Sequence, residues 1–413
     1  MAQALRLEYR AWWAWGWLPW AARAGIRSRP QELGAMQPPP PEQMEPLSPA
    51  EKPLPPPSRA PAGPNGGSPP RAGLSTSMVA IMESQVEEMR KLLMRFKVCS
   101  STQSQPQQPA PPPDPTLPAE TAATLPPHAD ILVFGPSGSG KSSLIRTFYM
   151  ALHKTQQVPP DFAERIIVKD TAMNEGTLKY VSATIKPVTL DHRGTATSSA
   201  IMCHDTRGHI WMDEREQKQL SVIMDGNVKD DSLVQQRNYR YARLLWEFWR
   251  RDVDLFPQEI LVRKGGLATK PHAILFVFDG SMEEIPDGEE ETRFYRDIIQ
   301  MSRSKGYVYP QVVLTRIDRV EEQLAKAVGS DSSVDPELRL RQVLDKKIED
   351  IVMKLDVSRT SVHFIENYHS GGGTVAEGRN VSVDFHALKI LTQCCSHADA
   401  FVMQSLRSAP PRP

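Results

Sequence analysis

Gly135-Pro136-Ser137-Gly138-Ser139-Gly140-Lys141-Ser142 fits the pattern G-x-x-x-x-G-K-[ST], between the apolar run Ala129 to Phe134 and a helical pattern from Lys141 to His153. Strand, glycine-rich turn and helix together turn backbone N–H groups inward around a phosphate, and the helix N-terminus adds partial positive charge. Lys141 is then expected to reach the β- and γ-phosphates, and Ser142 to place its hydroxyl on magnesium. Ser143 completes the nucleotide contacts predicted for this stretch. Such a loop serves ATP-driven transporters, nucleotide kinases and GTPases alike, so a second acidic site has to discriminate.

Ile201-Met202-Cys203-His204-Asp205-Thr206-Arg207-Gly208 ends a predicted strand with D-x-x-G. In GTPases that aspartate holds magnesium through water and the glycine N–H senses the γ-phosphate, which assigns Asp205 to the metal and Gly208 to the nucleotide. A third element, Leu314-Thr315-Arg316-Ile317-Asp318, ends another strand where GTPases carry [N/T]-K-x-D. Asp318 would accept hydrogen bonds from guanine N1–H and the exocyclic amino group, and Arg316, in place of lysine, can cover the base with its stem and plane. Thr315 stands where asparagine is usual. The transporter signature L-S-G-G-Q is absent from the sequence, which argues against an ATP-binding cassette.

With these motifs in hand, residues 129 to 403 resemble the interferon-induced protein 44 family of P-loop GTPase-like proteins. The likeness is carried by the loop, Asp205 to Gly208, Ile223-Met224-Asp225-Gly226-Asn227-Val228, Phe276 to Ser281, Thr315 to Asp318, and Glu366-Asn367-Tyr368 ahead of a final helix. The resemblance implies a Ras-like α/β domain, and implies GTP binding more securely than turnover. By it, Glu366, Asn367 and Tyr368 fall where other GTPases place a base-contacting loop, and Asn367 joins the nucleotide set. The first 127 residues lie outside it.

Hydrolysis requires a group that orients water. His209 follows Gly208, where Ras-type enzymes carry glutamine and translational GTPases of the elongation-factor type carry histidine. It is read either as the water-positioning residue or as a solvated loop residue. Arg207 could supply positive charge in cis, where such arginines are worth about 10³ to 10⁵ in rate. The switch threonine that completes the magnesium set is Thr177 or Thr171. Three readings follow: a slow magnesium-dependent GTPase acting as a GTP/GDP switch, a nucleotide-gated scaffold without significant hydrolysis, and a nucleotide-kinase-type phosphotransferase.

These residues need a scaffold, and the composition says where it lies. Of 37 prolines, 25 precede residue 128, so only residues 128–405 have the length and apolar content for a sizeable core. Short β-rich runs alternating with helical patterns predict an α/β fold, a three-layer P-loop NTPase sandwich with a mainly parallel sheet. Predicted strands are Ala129 to Phe134, Leu178 to Leu190, Ser199 to His204, Ala273 to Phe278, Gln311 to Thr315 and Ser361 to Glu366. Helices are expected at Glu289 to Ser304, Glu337 to Leu355 and Val383 to Met403, with a helical insertion over 213–261. In that insertion Arg237, Arg240, Arg243, Arg250 and Arg251 interleave with aromatic residues, which reads as RNA or phospholipid contact or, more simply, as a helix burying Leu244, Leu245 and Phe248.

Residues 1–127 are expected to be a disordered proline-rich arm, because such composition cannot bury enough apolar surface to offset ordering, and residues 406–413 a disordered tail. Within the arm, Val79, Met82, Val86, Met89, Leu93 and Phe96 form an a/d stripe on a helix over 77–97. That helix can dock on the neighbouring domain or pair with a second copy, and the PxxP stretches can recruit protein partners. The Trp-rich run Ala11 to Ala22 is too short to span a bilayer. It is a targeting or interfacial segment, or an unstructured leader ahead of a start at Met36 or Met44. Lysine plus arginine equals aspartate plus glutamate at 49 each, so charge supports neither nucleic acid nor an anionic membrane as partner. Cys99, Cys203, Cys394 and Cys395 form neither a metal-ligand nor a disulfide pattern, which places the chain in a reducing compartment, the cytoplasm.

Overall fold

β1 (His128–Phe134) is buried along nearly its whole length, as an apolar strand covered on both faces should be. It pairs in parallel with β5 (Ala200–Asp205) on one side and with β7 (Ala273–Asp279) on the other. Beyond β7 come β8 (Gln311–Thr315) and β9 (Val362–Phe364), both parallel. On the far side, β2 (Lys179–Lys186) runs antiparallel to β5 and carries the short β6 (Ser232–Leu233) at its edge. The sheet order is therefore β6-β2-β5-β1-β7-β8-β9, and β3 (Thr189–Leu190) and β4 (Ala196–Ser198) form a separate hairpin. These statements come from a computed structural model that describes residues 76–99, 125–168, 179–206, 208–209, 212–234, 256, 258–262, 265–327, 335–368 and 380–408. All of them fall in one unit, Pro70–Pro413; the other unit, Met1–Pro69, lies outside the described residues.

Helices cover the sheet on both faces, which makes the three layers. On one face lie α2 (Lys141–His153), against β2 and β5, and α8 (Val381–Ser408), against β1, β7 and β9. On the other, Tyr295 of α5 (Gly288–Ser304) packs edge-on against the rings of Phe134, Phe276 and Phe278, and Phe294 packs edge-on against Tyr295. α4 (Glu214–Met224) lies beside α5, as does α7 (Pro336–Leu355), and α6 (Ile317–Ala327) packs on α7. A single turn, α3 (Pro160–Arg165), sits on β2.

Several expectations shift. The predicted strand over 178–190 divides at Lys186 into β2 and β3. The predicted final strand shortens to Val362–Phe364 behind a 3₁₀ turn. α6 was not expected at all. Of the insertion, α4 and β6 are in place, and residues 235–255, with the basic and aromatic cluster, lie outside the described residues. α8 runs to Ser408, past the point where the tail was expected to begin.

The amphipathic helix of the arm, α1 (Thr76–Met94), packs along α8, and Val86 and Leu93 from its stripe join the domain's core. The chain after it is stitched to the sheet: Ser199 N–H donates to the Phe96 carbonyl at 2.9 Å, and Val98 N–H donates to Ser199 Oγ at 3.0 Å. The face that a second copy would need is thus taken by α8. No described helix is long and apolar enough to cross a membrane.

Candidate functional site

β1 sits where the strand order turns outward in both directions, and in open α/β sheets the crevice beyond the carboxyl ends of such strands receives ligands. The register pairs Val133 with Asp205, so the loop after β1 and the acid ending β5 emerge side by side. Ser142 Oγ donates to Asp205 Oδ2 at 2.5 Å, and Asp205 is fully buried. Lys141, only 6% exposed, curls back so that Nζ donates to the carbonyls of Gly135 (3.1 Å) and Pro136 (2.7 Å). Burial lowers its pKa to about 8, against the pull of the Asp205 carboxylate.

Two other strand ends brace the loop. Thr315, at the end of β8, donates from its hydroxyl to the Ser139 carbonyl at 2.7 Å. Asn367, just past β9, donates through Nδ2 to the Gly140 carbonyl at 3.3 Å. Gly140 has φ 90, and a Cβ there would lie 3.1 Å from both Thr315 Oγ1 and Asn367 Nδ2, so any side chain would be strained and crowded. Ser139 Oγ and Asn367 Oδ1 are buried without a hydrogen-bond partner. Buried polar atoms of that kind demand explanation, and a polar ligand is one.

Arg316 has φ 59 and directs its guanidinium to Asp279, at the end of β7. Asp318 lies in the first turn of α6, partly exposed. The structure therefore assembles Gly135 to Ser143, Asp205, Thr315 and Asn367 at one place, with Arg316 just past the end of β8 and Asp318 in the first turn of α6. Thr171, Thr177 and Arg207 lie outside the described residues.

The segment after Asp205 lies against the loop. Thr206 Oγ1 donates to the Val133 carbonyl at 2.9 Å, Ser137 N–H donates to the His209 carbonyl at 3.1 Å, and His209 N–H donates to the Gly135 carbonyl at 3.2 Å. Gly208 is so close that a Cβ would fall 2.4 Å from Ser137 Cα. The His209 imidazole points elsewhere: Nδ1 meets Glu216 Oε2 at 3.2 Å, and the ring packs 4.0 Å from the Phe134 ring centroid. The backbone of His209 meets the loop, and its ring packs against Phe134 and against Phe294 of α5. Asp279, Glu216 and Thr206 are partners to which motif reading gave no role, although Asp279 lies inside the run Phe276 to Ser281 and Thr206 inside Asp205 to Gly208.

Sheet and loop together define an α/β P-loop domain. No family model matches the chain, and no curated protein matches it. Among solved structures, a dimerization-deficient mutant of Toc33 from Arabidopsis thaliana is similar over 77% of this chain and 92% of its own, at 12% identity and a TM-score of 0.35. Toc33 from Arabidopsis thaliana in complex with GDP and Mg2+ is similar over 66% of this chain and 84% of its own, at 13% identity and a TM-score of 0.32.

Proposed function

We propose that this domain binds a guanine nucleotide with magnesium and acts as a slow GTPase switch. The observation that carries the reading is the convergence of Lys141, the Ser142–Asp205 pair and the bracing groups Thr315 and Asn367 on one loop. Lys141 exchanges its loop carbonyls for phosphate oxygens, and the N-terminus of α2 adds partial positive charge beside it. Ser142 and Asp205 supply oxygens suited to magnesium, a hard cation that takes such ligands, and Thr177 is the proposed third. Magnesium, when bound, neutralises charge building on the phosphate oxygens. Asp318 reads guanine and Arg316 covers it. Water adds to the γ-phosphorus in line as the bond to the bridging oxygen breaks, releasing GDP, phosphate and a proton.

The switch follows from the same contacts. Gly208 and His209 occupy the face of Ser137, so a γ-phosphate there displaces them and a diphosphate need not. His209 can position water only after its ring leaves Glu216. That packing favours a second reading, a nucleotide-gated scaffold without significant hydrolysis. His209→Ala with an unchanged hydrolysis rate would select the scaffold, and a newly phosphorylated nucleotide among the products would indicate a kinase instead. The interferon-induced protein 44 likeness, the cytoplasmic placement and partner binding through the proline-rich arm belong to this proposal too. All four cysteines are buried.

The deciding measurement is binding of fluorescent GTP and ATP analogues to the full chain with magnesium, with Lys141→Ala as control. Preference for GTP that vanishes in the variant is expected. Equal or ATP-preferring binding would remove Thr315 to Asp318 as a base reader and leave a generic P-loop NTPase.

A further inference from the structure

Arg90, on α1, is only 5% exposed, and Asp384, on α8, is 2% exposed. They meet at 2.7 Å, Arg90 Nη2 to Asp384 Oδ2, across 294 residues of sequence. Arg90 Nε also donates to the carbonyl of Ala151 at 2.7 Å, in the last turn of α2, and Nη1 to Glu87 Oε1 at 2.5 Å. An apolar pair would join α1 to α8 at lower desolvation cost, so a buried ion pair invites a search for what else it holds. The second oxygen, Asp384 Oδ1, accepts from the Tyr368 hydroxyl at 2.8 Å. The N–H of Tyr368 donates to Thr147 Oγ1 at 3.1 Å, on α2, and its neighbour Asn367 is the residue that braces the Gly140 carbonyl.

A continuous polar chain thus runs from α1 through Asp384 and Tyr368 to the C-terminal end of the phosphate loop. Each link is directional: the planar guanidinium spans Asp384, the Ala151 carbonyl and Glu87 at once, and Asp384 in turn accepts the Tyr368 hydroxyl on its other oxygen. We infer that Arg90 is a positioning residue for the nucleotide site, and that docking of α1 and nucleotide binding are thermodynamically coupled through Asp384, Tyr368 and Asn367. This rests on the nucleotide-binding reading given above. Coupling is reciprocal, so nucleotide should tighten α1 by the factor by which docked α1 tightens nucleotide.

The test is hydrogen exchange of the full chain with and without GDP and magnesium, alongside measured GDP affinity. α7, which contributes nothing to the chain of contacts, reports the general stabilisation any ligand gives. In the wild type, GDP is expected to slow exchange in residues 86–94 by about fivefold or more beyond its effect on α7. Tyr368→Phe leaves the ion pair intact and cuts the link; it should abolish that excess and weaken GDP binding about fivefold, with α7 still protected. Arg90→Met should weaken binding at least as much, and Arg90→Lys should not restore it, since an ammonium lacks the fork. Should Arg90→Met not fold, Tyr368→Phe alone decides. Wild-type GDP binding with no excess protection of α1, or with unchanged affinity in Tyr368→Phe, overturns the coupling alone. No GDP binding by the wild type overturns the nucleotide reading and the coupling with it.

Discussion

Toward the start of β1, Asp130 is buried among His128 (2.7 Å), His204 (3.0 Å) and His272, whose Nδ1 accepts the Asp130 N–H at 3.1 Å. Past the end of the same strand, Lys141 is equally buried but spends its ammonium on the carbonyls of its own loop. Burial works against the Asp130 charge, yet hydrogen bonds from His128 and His204 overcome it and hold the carboxyl well below the usual carboxylate range. Burial of Lys141 outweighs the pull of the Asp205 carboxylate, and its pKa falls. One carboxylate takes its partners from three separate stretches of the fold; the ammonium takes its own from the loop it would leave to meet a ligand. β5 serves both, His204 turning to Asp130 and the next residue, Asp205, to Ser142, as alternation along a strand requires. Polar burial marks a binding site only where the partners are provisional.

Breaking the Asp130 cluster should cost stability and spare binding. Asp130→Asn removes the charge that His128 and His204 surround, and a loss of about 3–5 kcal/mol in urea unfolding is expected, with nucleotide affinity changed less than about twofold. A large affinity loss at intact stability would erase the distinction between the two ends. The loop lysine should behave in the opposite way. Lys141→Ala is expected to weaken GTP binding about 100-fold, some 2.7 kcal/mol, while leaving the melting temperature unchanged or raised, since it deletes a buried charge whose desolvation outweighs its attraction to Asp205.

Acidity sharpens the same contrast. The Lys141 ammonium is the form that meets phosphate, so above about pH 8 each binding event must take up a proton. Affinity should fall about tenfold per pH unit from there, and the slope should be absent in Lys141→Ala. Without nucleotide the sign reverses: the unfolded chain keeps this proton up to its ordinary value of 10.5, the folded chain releases it near 8, and stability therefore rises with pH across that window. Calorimetry against pH would expose a wrong sign. The smallest effect is expected at the brace. Thr315→Val removes the bond to the Ser139 carbonyl, and about 1 kcal/mol of stability with about fivefold in nucleotide affinity should go with it. Unchanged affinity would make Thr315 a packing residue only.

The sequence was most legible where local backbone demands are strict. Gly140 at positive φ, a strand before it and a helix after it leave few alternatives, and the loop and Asp205 are where the motifs put them. Strand order was less accessible: nothing in Lys179 to Lys186 states that β2 runs antiparallel to β5, because direction depends on the path of the connection. α6 escaped notice because Ile317, Val320 and Leu324 form a thin apolar stripe on a helix of 11 residues, easily taken for the end of a strand. His209 shows the sharper limit. Its position after Gly208 is linear information, whereas the direction of its ring is set by Phe134 and Glu216.

By itself, then, the sequence determined the glycine-rich loop between strand and helix, the acid beside it, the α/β class and a helix within the 77–97 stretch, because each depends on residues a few positions apart whose dihedral and periodic requirements are local. Tertiary structure alone decided that Thr315 and Asn367 brace the loop, that Arg316 answers to Asp279, and that Arg90 reaches Asp384. Those contacts join residues tens to hundreds of positions apart, and a buried charge or donor takes whichever partner the packed sheet and helices bring within hydrogen-bond reach.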